Sequence, residues 1–236
     1  MSKIVKFNSD YGFVVAAADF IQDKIQEASK QHGIARIALS GGSTPTPIYL
    51  ELASRDELPW ENLEIFQVDE RHIPSTRAES NQRKIEESFG YRMGQIRGFY
   101  PFDVSINSAE SASRYSQLIE SLDDEDGIFD LVLLGYGDDG HTASLFPNNQ
   151  ALEEREVAAV AVNDDSLEFP ERLTLTYSAI LNCKELLIVA AGEEKLLTLD
   201  KALQANATYK QYPLRYIFDN KQDCHLFICI PSEDDK

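Results

Sequence analysis

The stretch GYGDDGHTASLFP (Gly135–Pro147) follows the apolar run FDLVLL and carries a histidine, His141. An imidazole has an ordinary pKa of about 6.5, so it can take a proton from water near neutral pH and return it to a leaving group. The same stretch contains Gly135-x-Gly137-x-x-Gly140, the spacing of a dinucleotide-binding loop. Such a loop needs a long helix opening at its third glycine, with the pyrophosphate at the helix N-terminus. Pro147, Asn148 and Asn149 end any helix within two turns, and Asp138 and Asp139 would place carboxylates where the pyrophosphate belongs. The acidic pair Asp164–Asp165 is weak support, and the nucleotide reading is set aside. Glycines also let a chain bend sharply after a strand. That bend would present His141 at the sheet edge among backbone N–H groups. A histidine bonded only within its loop is the plain alternative. Ser144 is a rival nucleophile but lacks the G-x-S-x-G elbow.

Other candidates share that edge. In LSGGSTP, Gly41, Gly42, Ser43 and Thr44 join an apolar run to a helix start at Pro45. N–H donors and a positive helix end there would form a phosphate nest, although Gly-Gly-Ser also marks ordinary turns. No Gly-Lys-Ser/Thr follows, so it is not a Walker loop. In DERHIP, Arg71 could clamp a phosphate or carboxylate and Asp69 could orient a partner through a hydrogen bond. A surface ion-pair cluster is the common fate of such residues. His72 and His141 lack metal-ligand spacing, and no metal is expected. Lys195, near a helix start, opposes the helix dipole and so suggests a compensating anion. Arg172, opening a strand, is a further candidate cation.

These residues need a frame. Apolar positions from Val14 to Ala28 recur at helical spacing within Ser9–His32. Strands are expected at Ile34–Ser40, Leu63–Asp69, Phe129–Gly135, Val157–Val162, Arg172–Tyr177 and Glu185–Gly192, with a last one at HLFICI. Helices are expected from Thr44, as the capping residue, to Ser54, at Ser80–Phe89, at Ala109–Leu122 and at EEKLLTLDKAL. The alternation predicts a single α/β domain over residues 1–236, a Rossmann-like three-layer α/β/α sandwich with a mostly parallel sheet. Ligands of such sheets sit beyond the carboxyl ends of the strands, where the candidate loops converge.

Composition bounds the partners. The 236 residues are 43% apolar, with a net charge of −18. A core is available, while nucleic acid and anionic membrane are repelled. No apolar run is long enough to span a bilayer, and MSKIVKFNSD lacks a secretory h-region. Cys183, Cys224 and Cys229 lie in or beside apolar runs and are expected as buried thiols, consistent with a reducing, cytoplasmic setting. The acid runs SLDDEDG and PSEDDK are expected to be solvated. Oligomeric state, monomer or dimer, is left open.

Together LSGGSTP, VDERHIP with Ser80–Asn81, GYGDDGHTASLFP, ERLTLTYSAI and GEEK resemble, in order and spacing, the 6-phosphogluconolactonases of the glucosamine-6-phosphate isomerase/6-phosphogluconolactonase superfamily. The likeness runs from about Phe13 to Leu203. Two departures are Tyr136, where the family usually has methionine, and the C-terminal YPLRYIFDNKQDCHLFICI. The resemblance implies hydrolysis of a phosphorylated sugar lactone, 6-phospho-D-glucono-1,5-lactone, without a cofactor. His141 would be the general base and Asp69 would orient it or a sugar hydroxyl. The phosphate would sit on Gly41, Gly42, Ser43 and Thr44 beside Arg71, Arg172 and Lys195. Gly137, Asp139 and Gly140 would contact substrate, and loop N–H groups over Gly137–Gly140 would meet the oxyanion. Glucosamine-6-phosphate deaminases share the first two motifs but typically carry GHIAFNEP at the histidine. Sugar-phosphate effector domains, the non-catalytic alternative, usually follow a DNA-binding unit.

Overall fold

The computed structural model describes residues 3–122 and 127–230, so most of SLDDEDG and all of PSEDDK lie outside the described residues. Its strands are β1 (Lys3–Phe7), β2 (Ala35–Leu39), β3 (Leu63–Gln67), β4 (Asp69–Arg71), β5 (Gly98–Tyr100), β6 (Phe129–Leu134), β7 (Ala159–Asn163), β8 (Glu171–Leu175), β9 (Cys183–Ala191) and β10 (Cys224–Cys229). Its helices are α1 (Asp10–His32), α2 (Pro45–Ala53), α3 (Asn81–Phe89), α4 (Ser108–Glu120), α5 (Tyr177–Leu181), α6 (Glu193–Ala202) and α7 (Leu214–Asn220).

Seven strands pair in parallel in the order β1-β10-β9-β6-β2-β3-β5. Successive side chains of a strand point to opposite faces. Ile37 and Leu39 therefore join one core with α1, α2 and α3, while Ala38 joins the other with α4, α6 and α7. Leu131 and Leu133 divide from Val132 and Leu134 in the same way. A sheet covered on both faces needs apolar residues at every position, which is why its strands read as unbroken runs. Helix α1 is set by Ser9, whose Oγ accepts from the Gly12 N–H at 3.0 Å, and ends at Gly33 with φ 76°. Its fully buried Ile21 and Ile25 each contribute roughly 1.5–3 kcal/mol of burial.

The expected layering is present, with differences in detail. The runs expected at Val157–Val162 and Arg172–Tyr177 do form strands, but in a separate antiparallel sheet of order β4-β8-β7. DERH does not simply end the preceding strand: Asp69–Arg71 is itself a strand of that small sheet. Val68 joins the two sheets, its N–H donating to Leu39 O in the large one and its carbonyl accepting from Leu175 N–H in the small one. Thr44 sits at the start of α2 but makes no side-chain cap bond, and Pro45 supplies the start instead. The sequence reading missed β1, an exposed edge strand, and β5 and α7, which are too short to show a period.

From β2 the chain builds outward to β3 and β5, then returns to β6 and builds the other way through β9 and β10. Neighbours β2 and β6 are the switch point, where connections diverge and leave a crevice above the carboxyl edge. The loops leaving β2 and β6 are GGSTP and GYGDDGH.

Candidate active site

The turn after β2 is shaped for close approach. Gly42 has φ 123°, a left-handed region that side chains avoid. A Cβ on Gly41 would lie 2.2 Å from Asn81 Oδ1, so only glycine fits beneath that amide. The Ser40 N–H extends the ladder to Leu133 O, and the buried Tyr49 hydroxyl donates to Ser40 O at 2.7 Å. Among the described residues, the N–H groups of Gly41, Gly42, Ser43 and Thr44 donate to no backbone carbonyl.

The small sheet brings two arginines together. Arg71 on β4 lies directly across from Arg172 on β8. Like charges opposite one another destabilise a strand pair unless something offsets them. Burial and then the neighbouring Arg71 lower the pKa of Arg172, and the same two causes lower that of Lys84. Arg172 donates through Nε to Phe169 O at 2.8 Å, and Arg71 through Nη1 to Glu79 O. Neither arginine pairs with a carboxylate among the described residues, and Arg71 Nε is buried without a partner. This is positive charge held ready for an anion.

Glu70, read from the sequence only as part of a surface ion-pair cluster, fixes that geometry. It is buried, and its carboxylate accepts from the N–H groups of Arg71, Asn81 and Gln82, from Ser80 Oγ and from Gln67 Nε2, at 2.7–3.0 Å. A carboxylate at the N-terminus of α3 satisfies amides that the helix leaves unpaired. Asn81 then reaches Asp69, its Nδ2 donating to the backbone carbonyl at 3.0 Å and to Oδ1 at 3.1 Å. Ser144 Oγ donates to Asp69 Oδ2 at 2.8 Å. Asp69 thus holds Asn81 and Ser144, and Asp139 makes the contact to His141 that Asp69 might have made. Ser144 is fully buried, its hydroxyl bonded to Asp69, and it does not line the cavity, which counts against it as a nucleophile.

In the histidine loop, Asp139 Oδ1 lies 2.6 Å from His141 Nδ1 and also accepts the His141 N–H at 3.1 Å. Burial would raise the Asp139 carboxyl, but the hydrogen bonds and charge of His141 outweigh it and hold the pKa below the ordinary value. An ionised carboxylate only accepts, so Nδ1 carries a proton in this contact, and Nε2 is the ring nitrogen outside it. The ring leans on Phe146, with centroids 4.6 Å apart, and is about one-third exposed (32%). The Gly137 N–H donates to His141 O and the Gly140 N–H to Gly137 O. Those two amides, expected to meet an oxyanion, close the loop upon itself. Gly140, at φ 83°, backs onto Tyr212, and Leu214 N–H donates to Gly140 O at 3.0 Å. The divergent C-terminal segment therefore braces this loop from behind and does not line the cavity.

Lys195, third residue of α6, pairs with Asp138 at 2.7 Å. The anion that its helix position called for is, in this structure, Asp138. Tyr136 in place of methionine adds a hydroxyl that donates to Lys195 O at 2.8 Å.

One cavity of about 280 Å³ is lined by Gly41, Gly42, Ser43, Thr44, Asp69, Arg71, Gly137, His141, Arg172 and Lys195. Asp139 and Gly140, also expected at the substrate, stand outside its lining, one behind the imidazole and the other against Tyr212. Asn81, quoted in the sequence but given no role there, does line it. His72 is elsewhere, bonded to Glu171 and to Ile106 O. Among the described residues no metal-binding cluster of His, Cys, Asp or Glu occurs, and no helix is long and apolar enough to cross a membrane. The three cysteines are buried and form no disulfide among the described residues, and burial pushes Cys183 up to about 12 and Cys229 up to about 11.

Comparison with known proteins gives a consistent picture. Residues 9–226 match the sequence model of the glucosamine-6-phosphate isomerases/6-phosphogluconolactonase family. A 6-phosphogluconolactonase of Nostoc sp. is 35% identical over 226 residues, covering 92% of both chains. One from Chlamydia pneumoniae is 36% identical over 228 residues, 93% of this chain and 84% of its own. The crystal structure of a 6-phosphogluconolactonase from Shewanella baltica superposes with a TM-score of 0.87 at 28% identity, covering 98% of each chain. A 6-phosphogluconolactonase structure from Trypanosoma brucei does so at 0.83 and 27%, over 97% of this chain and 96% of its own. The family match over residues 9–226 and the identity over nearly the whole length lead to one statement: this chain belongs to the glucosamine-6-phosphate isomerase/6-phosphogluconolactonase family.

Proposed function

We propose that the chain is a 6-phosphogluconolactonase, hydrolysing 6-phospho-D-glucono-1,5-lactone to 6-phosphogluconate as in the oxidative pentose phosphate pathway. The observation that carries this reading is the sharing of one cavity by a carboxylate-held imidazole and an unpaired arginine couple. Arg71, Arg172 and the N–H groups of the Gly41–Thr44 turn bind the phosphate, with Lys195 at the rim. Anchoring one end of the substrate converts attack on the other into a reaction between positioned groups. His141 Nε2 takes a proton from water, and the hydroxide adds to C1 of the lactone. As the tetrahedral adduct collapses, the C1–O5 bond breaks and the imidazolium returns its proton to O5. Asp139 keeps Nδ1 protonated and stabilises the imidazolium, a positioning role like that of the triad aspartate in serine hydrolases. Asp69, fixed by Asn81 and Ser144, faces the cavity as an acceptor for a sugar hydroxyl. A δ-lactone is electrophilic enough that general-base help, typically about 10²–10⁴-fold, is a substantial part of what is needed.

The test is a paired assay. Freshly prepared phosphogluconolactone is supplied and acid release followed by pH-stat; glucosamine-6-phosphate is supplied and ammonia followed. Acid release well above the spontaneous rate is expected. Ammonia without acid would assign the deaminase reaction instead, and tight sugar-phosphate binding with neither product would assign a non-catalytic effector role.

A further inference from the structure

Of the three cations lining the cavity, Lys195 alone pairs with a carboxylate among the described residues, and that partner is unusually placed. Asp138 is 72% exposed while the lysine is 21% exposed, so the pair joins a solvated carboxylate outside the lining to a cation that lines the cavity. Both backbones are clamped. The Asp138 carbonyl accepts from Thr198 Oγ1 at 2.8 Å, one turn along α6, and Tyr136 Oη donates to the Lys195 carbonyl at 2.8 Å. The Lys195 ammonium also lies 5.8 Å from the centre of the Tyr136 ring. An exposed ion pair contributes little net stability, so a ligand anion can contend with the carboxylate for this ammonium. The Asp138 side chain makes no other hydrogen bond or ion pair among the described residues.

We propose that Asp138 is a positioning residue that competes with the ligand phosphate for Lys195, holding the ammonium in the empty cavity and taking it back as the product leaves. This rests on the reading of the cavity as a phosphorylated-lactone site. A phosphate entering beside Arg71 and Arg172 must share Lys195 with a carboxylate of its own sign, which weakens its binding. Ring opening adds a carboxylate to the ligand, so repulsion by Asp138 grows between substrate and product. The residue thereby trades affinity for release of the more negative species.

The test titrates the intact chain with inorganic phosphate by calorimetry, in the wild type, Asp138→Asn, Asp138→Glu, Lys195→Met and the double variant Asp138→Asn/Lys195→Met. Asp138→Asn is expected to bind phosphate about 1.5- to 5-fold more tightly, the span of an exposed ion pair. Asp138→Glu should stay near wild type, the gain should vanish in the Lys195→Met background, and added salt should shrink it. With lactone, Asp138→Asn should lower KM by a similar factor and the inhibition constant of 6-phosphogluconate by more, with kcat held. Equal or weaker phosphate binding by Asp138→Asn, an undiminished gain without Lys195, or no phosphate binding by any variant overturns the proposal. Tighter phosphate binding with no lactone hydrolysis by the wild type leaves the competition standing and overturns the proposed reaction instead.

Discussion

Gly137 and His141 share one space: a Cβ built on Gly137 would lie 2.2 Å from both Cε1 and Nδ1 of the imidazole. The glycine is therefore the floor on which the ring rests. Its φ is not in the left-handed region, so an alanine there acts through the ring and not through backbone strain. Gly137→Ala should leave thermal stability within a few degrees of wild type and lower kcat about a hundredfold, the scale of a 1 Å misplacement. Full turnover in this variant would separate the imidazole from the chemistry.

His141→Ala removes the base itself. At least a hundredfold loss of kcat with KM within a few-fold is expected from steady-state kinetics. Ser144→Ala is the matched control. If its buried hydroxyl only holds Asp69, turnover persists, whereas a nucleophilic serine would leave none.

Arg172→Met should raise KM at least about tenfold, because a desolvated charge contact to the phosphate is lost. Stability should not fall, since the substitution removes one of two like charges facing each other across β4 and β8. Inorganic phosphate should raise Tm in the wild type and much less in this variant, a difference that differential scanning calorimetry reads directly.

Glu70→Gln exchanges one acceptor oxygen for an NH₂ group amid five donors. Loss of about 2–4 kcal/mol in urea unfolding is expected, together with a raised KM as Arg71 and Asn81 lose their support.

Asp139 makes folding depend on pH in a defined direction. Its folded pKa lies below the ordinary carboxylate value, so its contribution is complete above about pH 3.9 and is lost as pH falls through the folded value. Wild type should therefore lose more stability than Asp139→Asn when acidified below pH 4, measured by urea titration at each pH.

Much of this was legible from the chain. Strands such as Phe129–Leu134 announce themselves because burial on both faces demands continuous apolar runs, and GGSTP and GYGDDGH mark their own bends. The partner of His141 was harder to see. The sequence offered Asp69 as the orienting residue and Asp139 only as a substrate contact, and the outcome depends on how Ser144 and Asn81 fold onto the two oxygens of Asp69. The small sheet was hidden because β8 alternates like any strand, and its pairing with a three-residue neighbour far earlier in the chain, Arg71 with Arg172, leaves no local trace. Glu70 looked like a surface charge beside Arg71, and only the arrival of the α3 amides shows why it is inside.

The imidazole and the arginine couple hang from different sheets, and Val68 bonds to both through its own peptide groups. Their separation is therefore a tertiary dimension, a caliper whose jaws belong to two sheets joined at Val68 and again where Ser144 of the histidine loop meets Asp69. On the proposed reading of the cavity, a ligand has to span that gauge to engage both jaws, so its length from phosphate to carbonyl is selected along with each end.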